Sequence, residues 1–382
     1  MAFGIVCEYN PFHNGHLHQI HEIKKNSDEP IICVMSGNFT QRGEVAIADK
    51  YARAEMAIRG GADLVLELPV PFCLASAEYF AAASIKILAS LGVDKLSFGS
   101  ESASVEKIMK IAEFAASDEF KKECIALSRD REGVSAYFEL LAEKTGEKNI
   151  LSNDILGIEY TKAIIKNGYN MQIYPIKREG IAYRDTELSL GVLPSAAAIR
   201  KALNGGNFDS VSDFVPATTL EILKKSDISG IEYAKDGILL ALRMLEAEKT
   251  DVAISDRGLV NRILATSHEC TDFDEFEEKL QTKKYTRSAI RRAILYILLG
   301  IKQSDLENMP EYTALLGASA RGREHLASIR RNEGRIKVIT KPADAEFSRQ
   351  YELSKKADAL YTACFENKKP SGHYIKKSPV IL

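Results

Sequence analysis

The first two hundred residues alternate short β-type apolar runs with longer helical patterns, and few architectures can satisfy that alternation. The runs are Phe3–Cys7, Ile31–Met35, Asp63–Glu67, Lys95–Phe98 and Met171–Tyr174. Between them lie segments of helical spacing, at His16–Lys25, Lys50–Arg59, Tyr79–Ala89, Ser104–Ala115 and Gly157–Lys166. Short, mostly apolar runs suit strands buried on both faces, and strands separated by helices pair in parallel with helices above and below. The expected fold class is therefore α/β, with a Rossmann-like doubly wound parallel sheet. Such sheets take ligands outside the carboxyl ends of their strands, where the strand order reverses. Loops that follow strand ends are the places to look for chemistry.

The alternation stops near Gly205-Gly206-Asn207. Residues 218–303 read as successive helices, with Glu232–Glu248 and Tyr285–Leu299 the longest periodic pieces, and Arg335–Ile339 is a late β-type run. Two domains are expected, an α/β unit over 1–204 and a mainly α-helical unit over 205–382.

Composition narrows the class further. Hydrophobic residues make up 45% and charged residues 27% of 382, the balance of an ordinary globular protein rather than a disordered one. No run of 18 apolar residues occurs, and the N-terminus lacks the basic region and cleavage site of a signal peptide, so neither a membrane partner nor export is expected. Six cysteines, at 7, 33, 73, 124, 270 and 364, are scattered without a C-x-x-C pair. That suits free thiols in a reducing cytoplasm.

Four of the seven histidines fall within residues 13 to 21, three of them in Pro11–His18. The cluster follows the first strand, after a Glu8–Pro11 turn, and opens a helix. A helix start there offers unpaired N–H groups and the positive dipole end to an anion, and Gly15 would let a phosphate approach the backbone. His13 and His16 would donate hydrogen bonds to charge growing on that phosphate. A zinc site and plain helix capping compete with this reading. His18 and His21 read as structural or surface residues. No carboxylate cluster marks a dedicated metal site.

The string G-I-V-C-E-Y-N-P-F-H-N-G-H resembles the H-x-G-H signature of the nucleotidyltransferase superfamily, whose Rossmann-like domains are related to class I aminoacyl-tRNA synthetases. A later signature, a Ser/Thr-rich turn into a helix ending Ile-Arg, stands here at Leu193–Arg200. The longer string, followed by V-M-S-G-N-F-T-Q-R-G-E, is similar to the tRNA(Met) cytidine acetate ligase family. So are Ala62–Pro69, Phe98–Glu101, Asn153–Gly157, Ile176–Gly180, Lys284–Arg287 and the Leu316–Arg323 stretch. The resemblance implies an enzyme that uses ATP, as its magnesium complex, and acetate to make acetyl-adenylate. It implies acetyl transfer to N4 of the wobble cytidine, position 34, of elongator tRNA(Met). By motif it implies that Val6, Cys7, Glu8, Tyr9, Asn10, Pro11, Phe12, His13, Asn14, Gly15, His16, Leu17, His18 and Gln19 hold ATP. Gly99, Asn153, Arg178 and Ser195 would complete that pocket. His13, His16, Arg178 and Arg200 are the expected catalytic group. The chain departs from the family at Ala197, where a threonine is usual, and at Ser152, where a proline is.

Attack of acetate on the α-phosphate needs no general base, only positive charge and aligned donors. Lys50 and Arg53, one helical turn apart, are candidates for substrate contacts or for a solvated helix face. Residues 283–341 hold thirteen Lys or Arg (283, 284, 287, 291, 292, 302, 321, 323, 330, 331, 335, 337, 341) against five acids. That is +8 in a chain of net charge −2, alongside Tyr285, Tyr296 and Tyr312, and it reads as a tRNA-binding surface. Two other functions stay open: nucleotide transfer to a phosphorylated small molecule, or RNA binding with a vestigial nucleotide site.

Overall fold

The computed structural model describes residues 1–127, 134–147, 150–178, 195–282, 284–329, 336–345 and 348–382. The expected parallel sheet is present. Strands β1 (Phe3–Cys7), β2 (Ile31–Ser36), β3 (Leu64–Leu68), β4 (Lys95–Ser100) and β5 (Gln172–Lys177) run parallel in the order β5-β4-β1-β2-β3. β1 sits at the centre, with Phe3 opposite Ile31 on one side and Lys95 on the other. Because the chain first winds from β1 toward β3 and then returns to β4, the order reverses between β1 and β4.

Helices α1 (Asn14–Asn26), α2 (Lys50–Arg59), α3 (Ala77–Ser90), α4 (Val105–Ala116), α5 (Asp118–Leu127), α6 (Val134–Thr145), α7 (Ser152–Asn167) and α8 (Ala196–Asn204) belong to this part. Alternation along the strands sorts the core into two faces. Ile32, Val34, Leu64 and Leu66 pack with α3, α4 and α7, whereas Ile31, Cys33, Met35 and Val65 pack with α1, α2 and α8. All residues of β2 and β3 are buried, which is why these strands read as apolar runs broken only by Ser36 and Glu67.

Past α8 the chain is mainly helical, in α9 (Ala217–Lys225), α10 (Lys235–Arg243), α11 (Arg257–Glu269), α12 (Phe273–Leu280), α13 (Arg287–Leu299) and α14 (Gln303–Glu307). The long helix expected over Glu232–Glu248 is shorter: α10 lies between two brief 3-10 turns, at Ile231–Tyr233 and Ala247–Lys249. Thr286 starts α13 by accepting from the Ala289 N–H, and Gly300 in left-handed geometry stops it.

The sheet then gains strands from the last third of the chain. β6 (Tyr312–Ala318) pairs antiparallel with β3, leading into α15 (Ala320–Ile329). β7 (Lys337–Ile339) falls in the late β-type run, α16 (Arg349–Thr362) follows, and β8 (Val380–Ile381) joins β6. Periodicity did not disclose β6. Its pairing rests on Asp63, whose carbonyl accepts the Ser319 N–H at 2.9 Å and whose carboxylate accepts from Ile31 N–H and the Ser319 hydroxyl. One hydrophobic cluster spans both parts, from Ala2 and Leu64 to Ile294, Tyr361 and Tyr374. Among the described residues no helix is long and apolar enough to cross a membrane.

Candidate active site

The turn after β1 stands at the reversal point. Tyr9 there has φ 46°, and the Asn10–Pro11 peptide is cis. Arg53, fully buried on α2, holds the turn from beneath by donating to the carbonyls of Glu8, Ser36, Gly37 and Ala48. His13 then caps α1. Its Nδ1 accepts the Gly15 N–H at 3.1 Å, and its own N–H donates to His16 Nδ1 at 3.2 Å. The two rings stack with centroids 3.6 Å apart and planes 18° from parallel.

This reciprocal cap settles the tautomers. Each Nδ1 is an acceptor, so each neutral ring carries its proton on Nε2. Burial, with the charges of Arg178 and Arg200, pushes His13 down to about 3. Burial, His13 and Arg178 lower His16 well below its usual value. Both rings are therefore neutral near pH 7 and offer Nε2–H donors.

The cap also corrects the expected anion cradle. The first-turn N–H groups of α1 are occupied: Asn14 donates to the Phe214 carbonyl at 3.0 Å, Gly15 to His13 Nδ1, and His16 and Leu17 to the His13 carbonyl. A Cβ on Gly15 would come within 3.0 Å of the His13 ring, so the glycine makes room for the histidine. Donors for a phosphate come from side chains here.

Titration of His13 has a consequence for stability. An unfolded histidine takes a proton below about pH 6.5, whereas folded His13 stays neutral to about 3. Acid therefore favours the unfolded chain, and this contribution, whole above pH 6.5, is lost as pH falls toward 3. Urea midpoints should fall from pH 7 to pH 4 more in the native protein than in His13→Asn; equal declines would mean His13 is already protonated when folded.

Across the reversal point, at the ends of β4 and β5, Gly99, Asn153 and Arg178 come together. Arg178 donates from its backbone to the Ser100 carbonyl and from Nη1 to Asn153 Oδ1 at 2.9 Å. Asn153 donates to Glu101, whose other oxygen accepts the Asp154 N–H at the start of α7. A Cβ on Gly99 would lie 3.2 Å from Arg178 Cγ, so glycine allows the arginine to cross the strand end. On α8, Ser195 caps the helix by accepting from the Ala198 N–H, and Ala197 lies in its first turn. Arg200 reaches back to the Asn10 carbonyl at 3.0 Å and to Glu44 Oε2 at 2.8 Å.

The structure thus brings His13, His16, Arg178 and Arg200 into one electrostatic neighbourhood. Other members of the expected nucleotide segment turn inward. Cys7, Tyr9, Pro11 and Phe12 are buried, with the Tyr9 hydroxyl 3.6 Å from Cys33 Sγ. Asn14 donates its amide to the Asp213 carbonyl, and Gln19 bonds Ser97. Asn10 is buried too, its Oδ1 accepting Ile47 N–H and its Nδ2 without a partner. Val6, Glu8, Gly15, His16, Leu17 and His18 keep partial exposure. Leu193, Pro194, Glu179 and Gly180 lie outside the described residues. Sequence reasoning did not single out Glu44 or Glu101, although each stands in a family-like string. Nothing in one sequence says that those carboxylates orient arginine and asparagine.

Lys50 and Arg53 do not lie on a solvated face, because both are buried. Lys50 is buried and bonds Glu67 at 2.9 Å and Asp358 at 2.8 Å. The basic stretch is likewise partly consumed by packing. Arg291 pairs with Glu277 at 2.8 Å and Glu44 at 3.5 Å, and Arg292 donates to the Gln41 carbonyl. Tyr296 and Tyr312 are core residues, so base stacking on them is excluded. Arg287, Arg323, Lys337 and Lys341 are exposed, while Lys283, Arg330, Arg331 and Arg335 lie outside the described residues.

Residues 1–374 match the HIGH Nucleotidyl Transferase family model. A tRNA(Met) cytidine acetate ligase of Caldanaerobacter subterraneus subsp. tengcongensis is 36% identical over 96% of both chains. The one of Clostridium perfringens is 32% identical over 99% of both. The chain belongs to the tRNA(Met) cytidine acetate ligase family. Solved structures agree over the full length of both chains. The apo Thermotoga maritima TmcAL superposes with TM-score 0.91 at 30% identity, and the same protein bound with alpha-thio ATP with 0.88 at 29%.

Proposed function

We propose that this ligase-family chain activates acetate with ATP and transfers the acetyl group to N4 of the wobble cytidine, position 34, of elongator tRNA(Met). The observation that carries the reading is the fixed pair of neutral Nε2–H donors at the sheet's reversal point, with Arg178 and Arg200 beside them. An acetate oxygen attacks the α-phosphorus and pyrophosphate leaves, so negative charge accumulates on phosphate oxygens. His13 and His16 supply hydrogen bonds to that charge, and the two arginines offset the repulsion between acetate and triphosphate. The cytosine N4 then attacks the acetyl carbon, AMP departs, and the N4 proton passes to solvent. The relatives named as tRNA(Met) cytidine acetate ligases, and the ATP analogue in the Thermotoga protein, support this over a small-molecule nucleotidyltransferase.

Among the described residues no three His, Cys, Asp or Glu side chains converge as a metal cluster. Magnesium would arrive on the triphosphate of ATP. Residues 1–204 would perform the activation, and residues 205–382 would hold the tRNA through the exposed cations of α13, α15 and β7. The free cysteines and a tRNA substrate suit the cytoplasm.

Incubation with ATP and labelled acetate, with and without tRNA, tests the reading. Acetate-dependent ATP–pyrophosphate exchange should occur without tRNA, and label should enter tRNA in a reaction that falls steeply with salt. If acetate supports neither exchange nor labelled tRNA, the reading is wrong.

A further inference from the structure

A cavity of 350 Å³ opens beside the site, between the β2–α2 loop, α8 and helices α10, α12 and α13. It lies within the range of small-ligand pockets, about 300–1,000 Å³, and far exceeds what acetate needs. Arg200 forms part of its wall, and its guanidinium is bonded to the Asn10 carbonyl in the turn that leads to His13. The cavity therefore adjoins the place where the acyl group is activated. Phe39, Ile231, Phe273 and Leu295 supply flat and apolar surface, while Glu44 and Glu277 bring carboxylates to the same space.

We propose that this cavity receives the unstacked acceptor cytosine, with the Glu44 and Glu277 carboxylates accepting hydrogen bonds from its N4 amine; the assignment rests on the ligase reading above. The chemistry distinguishes cytosine from uracil. A carboxylate accepts from the N4–H₂ of cytosine, and it repels the O4 acceptor that uracil places there. Sequence-specific RNA recognition proceeds through bases splayed out of a loop, against apolar or aromatic walls. Glu44 and Glu277 are both held in place by Arg291, and each carboxylate oxygen keeps a further lone pair for the base. Outside the cavity, Arg287 lies 3.9 Å from Glu277 and is half exposed, positioned for the phosphate of the inserted nucleotide. The basic helix start and the arginine-held carboxylates of the cavity thus form one nucleotide-sized recess.

The two half-reactions separate this proposal from the ligase reading. Ile231→Trp fills the cavity from its rim. It should lower acetyl transfer to tRNA by about 30-fold or more, while acetate-dependent exchange stays within about twofold. Glu277→Gln, which keeps the shape of the site, should lower transfer about tenfold with the same sparing of exchange. With the native protein, cytidine monophosphate should inhibit transfer but not exchange, and uridine monophosphate should inhibit at least about tenfold less. Transfer unaffected by both variants, exchange lost in step with transfer, or equal or absent inhibition by the two nucleotides overturns the assignment. Failure of acetate to support either exchange or labelled tRNA with the native protein sinks the ligase reading itself, and this proposal with it.

Discussion

His16→Ala is expected to lower acetate-dependent ATP–pyrophosphate exchange by a factor of about 10²–10³, the usual cost of removing one oriented donor to developing charge. The cap fixes the orientation: His16 Nδ1 accepts the His13 N–H at 3.2 Å, which leaves Nε2–H for the phosphate. Desolvation and the neighbouring His13 and Arg178 hold the ring neutral, so the loss is one of a positioned hydrogen bond, with no positive charge removed. Removing the imidazole also breaks half of the α1 capping box, which should cost about 1 kcal/mol of stability. The two effects separate readily, because a loss of that size leaves the protein folded at assay temperature. An exchange rate within fivefold of the native protein, with folding intact, would show that His16 serves only as a cap.

Lys50→Met should be the most damaging change to the fold. It leaves the Glu67 carboxylate buried and the Asp358 carboxylate largely so, without their cation, and breaking a buried pair in this way costs about 3–5 kcal/mol. The triad joins α2 and the strand that follows it, β3, to α16 at the far end of the chain, so its loss should loosen the C-terminal helix against the sheet. Reversible urea unfolding measures the effect, and Lys50→Met/Glu67→Leu should recover part of it by removing one orphaned charge. A variant that keeps native stability yet loses activity would instead place Lys50 at the substrate.

These contrasts show where sequence reading reached its limit. The strands β2 and β3 were legible because burial on both faces demands an apolar composition, while the half-buried β5 was legible as a short run between helical patterns. The histidine pair was legible because it stands directly after β1. β6 was not, because its seven residues become a strand only through their pairing with β3, where Leu64 stands opposite Ala318. Lys50 and Arg53 illustrate the same limit. Spacing placed them one turn apart on a helix, but the burial of one among carboxylates and the other among carbonyls depends on partners in other elements, as far away as Asp358.

The net charge of −2 hid a basic stretch, and the stretch in turn hid a division of labour. Arg291 and Arg292 pack α13 against the β2–α2 loop, while Arg287 remains at the surface. The sequence by itself determined the five parallel strands, the family and the position of the paired histidines, since periodicity and local motifs encode each. Tertiary structure alone decided which cations face solvent, which tautomer each histidine holds, and that Glu44 links Arg200 to Arg291. Those properties depend on desolvation and hydrogen-bond partners, which arise only when remote segments meet.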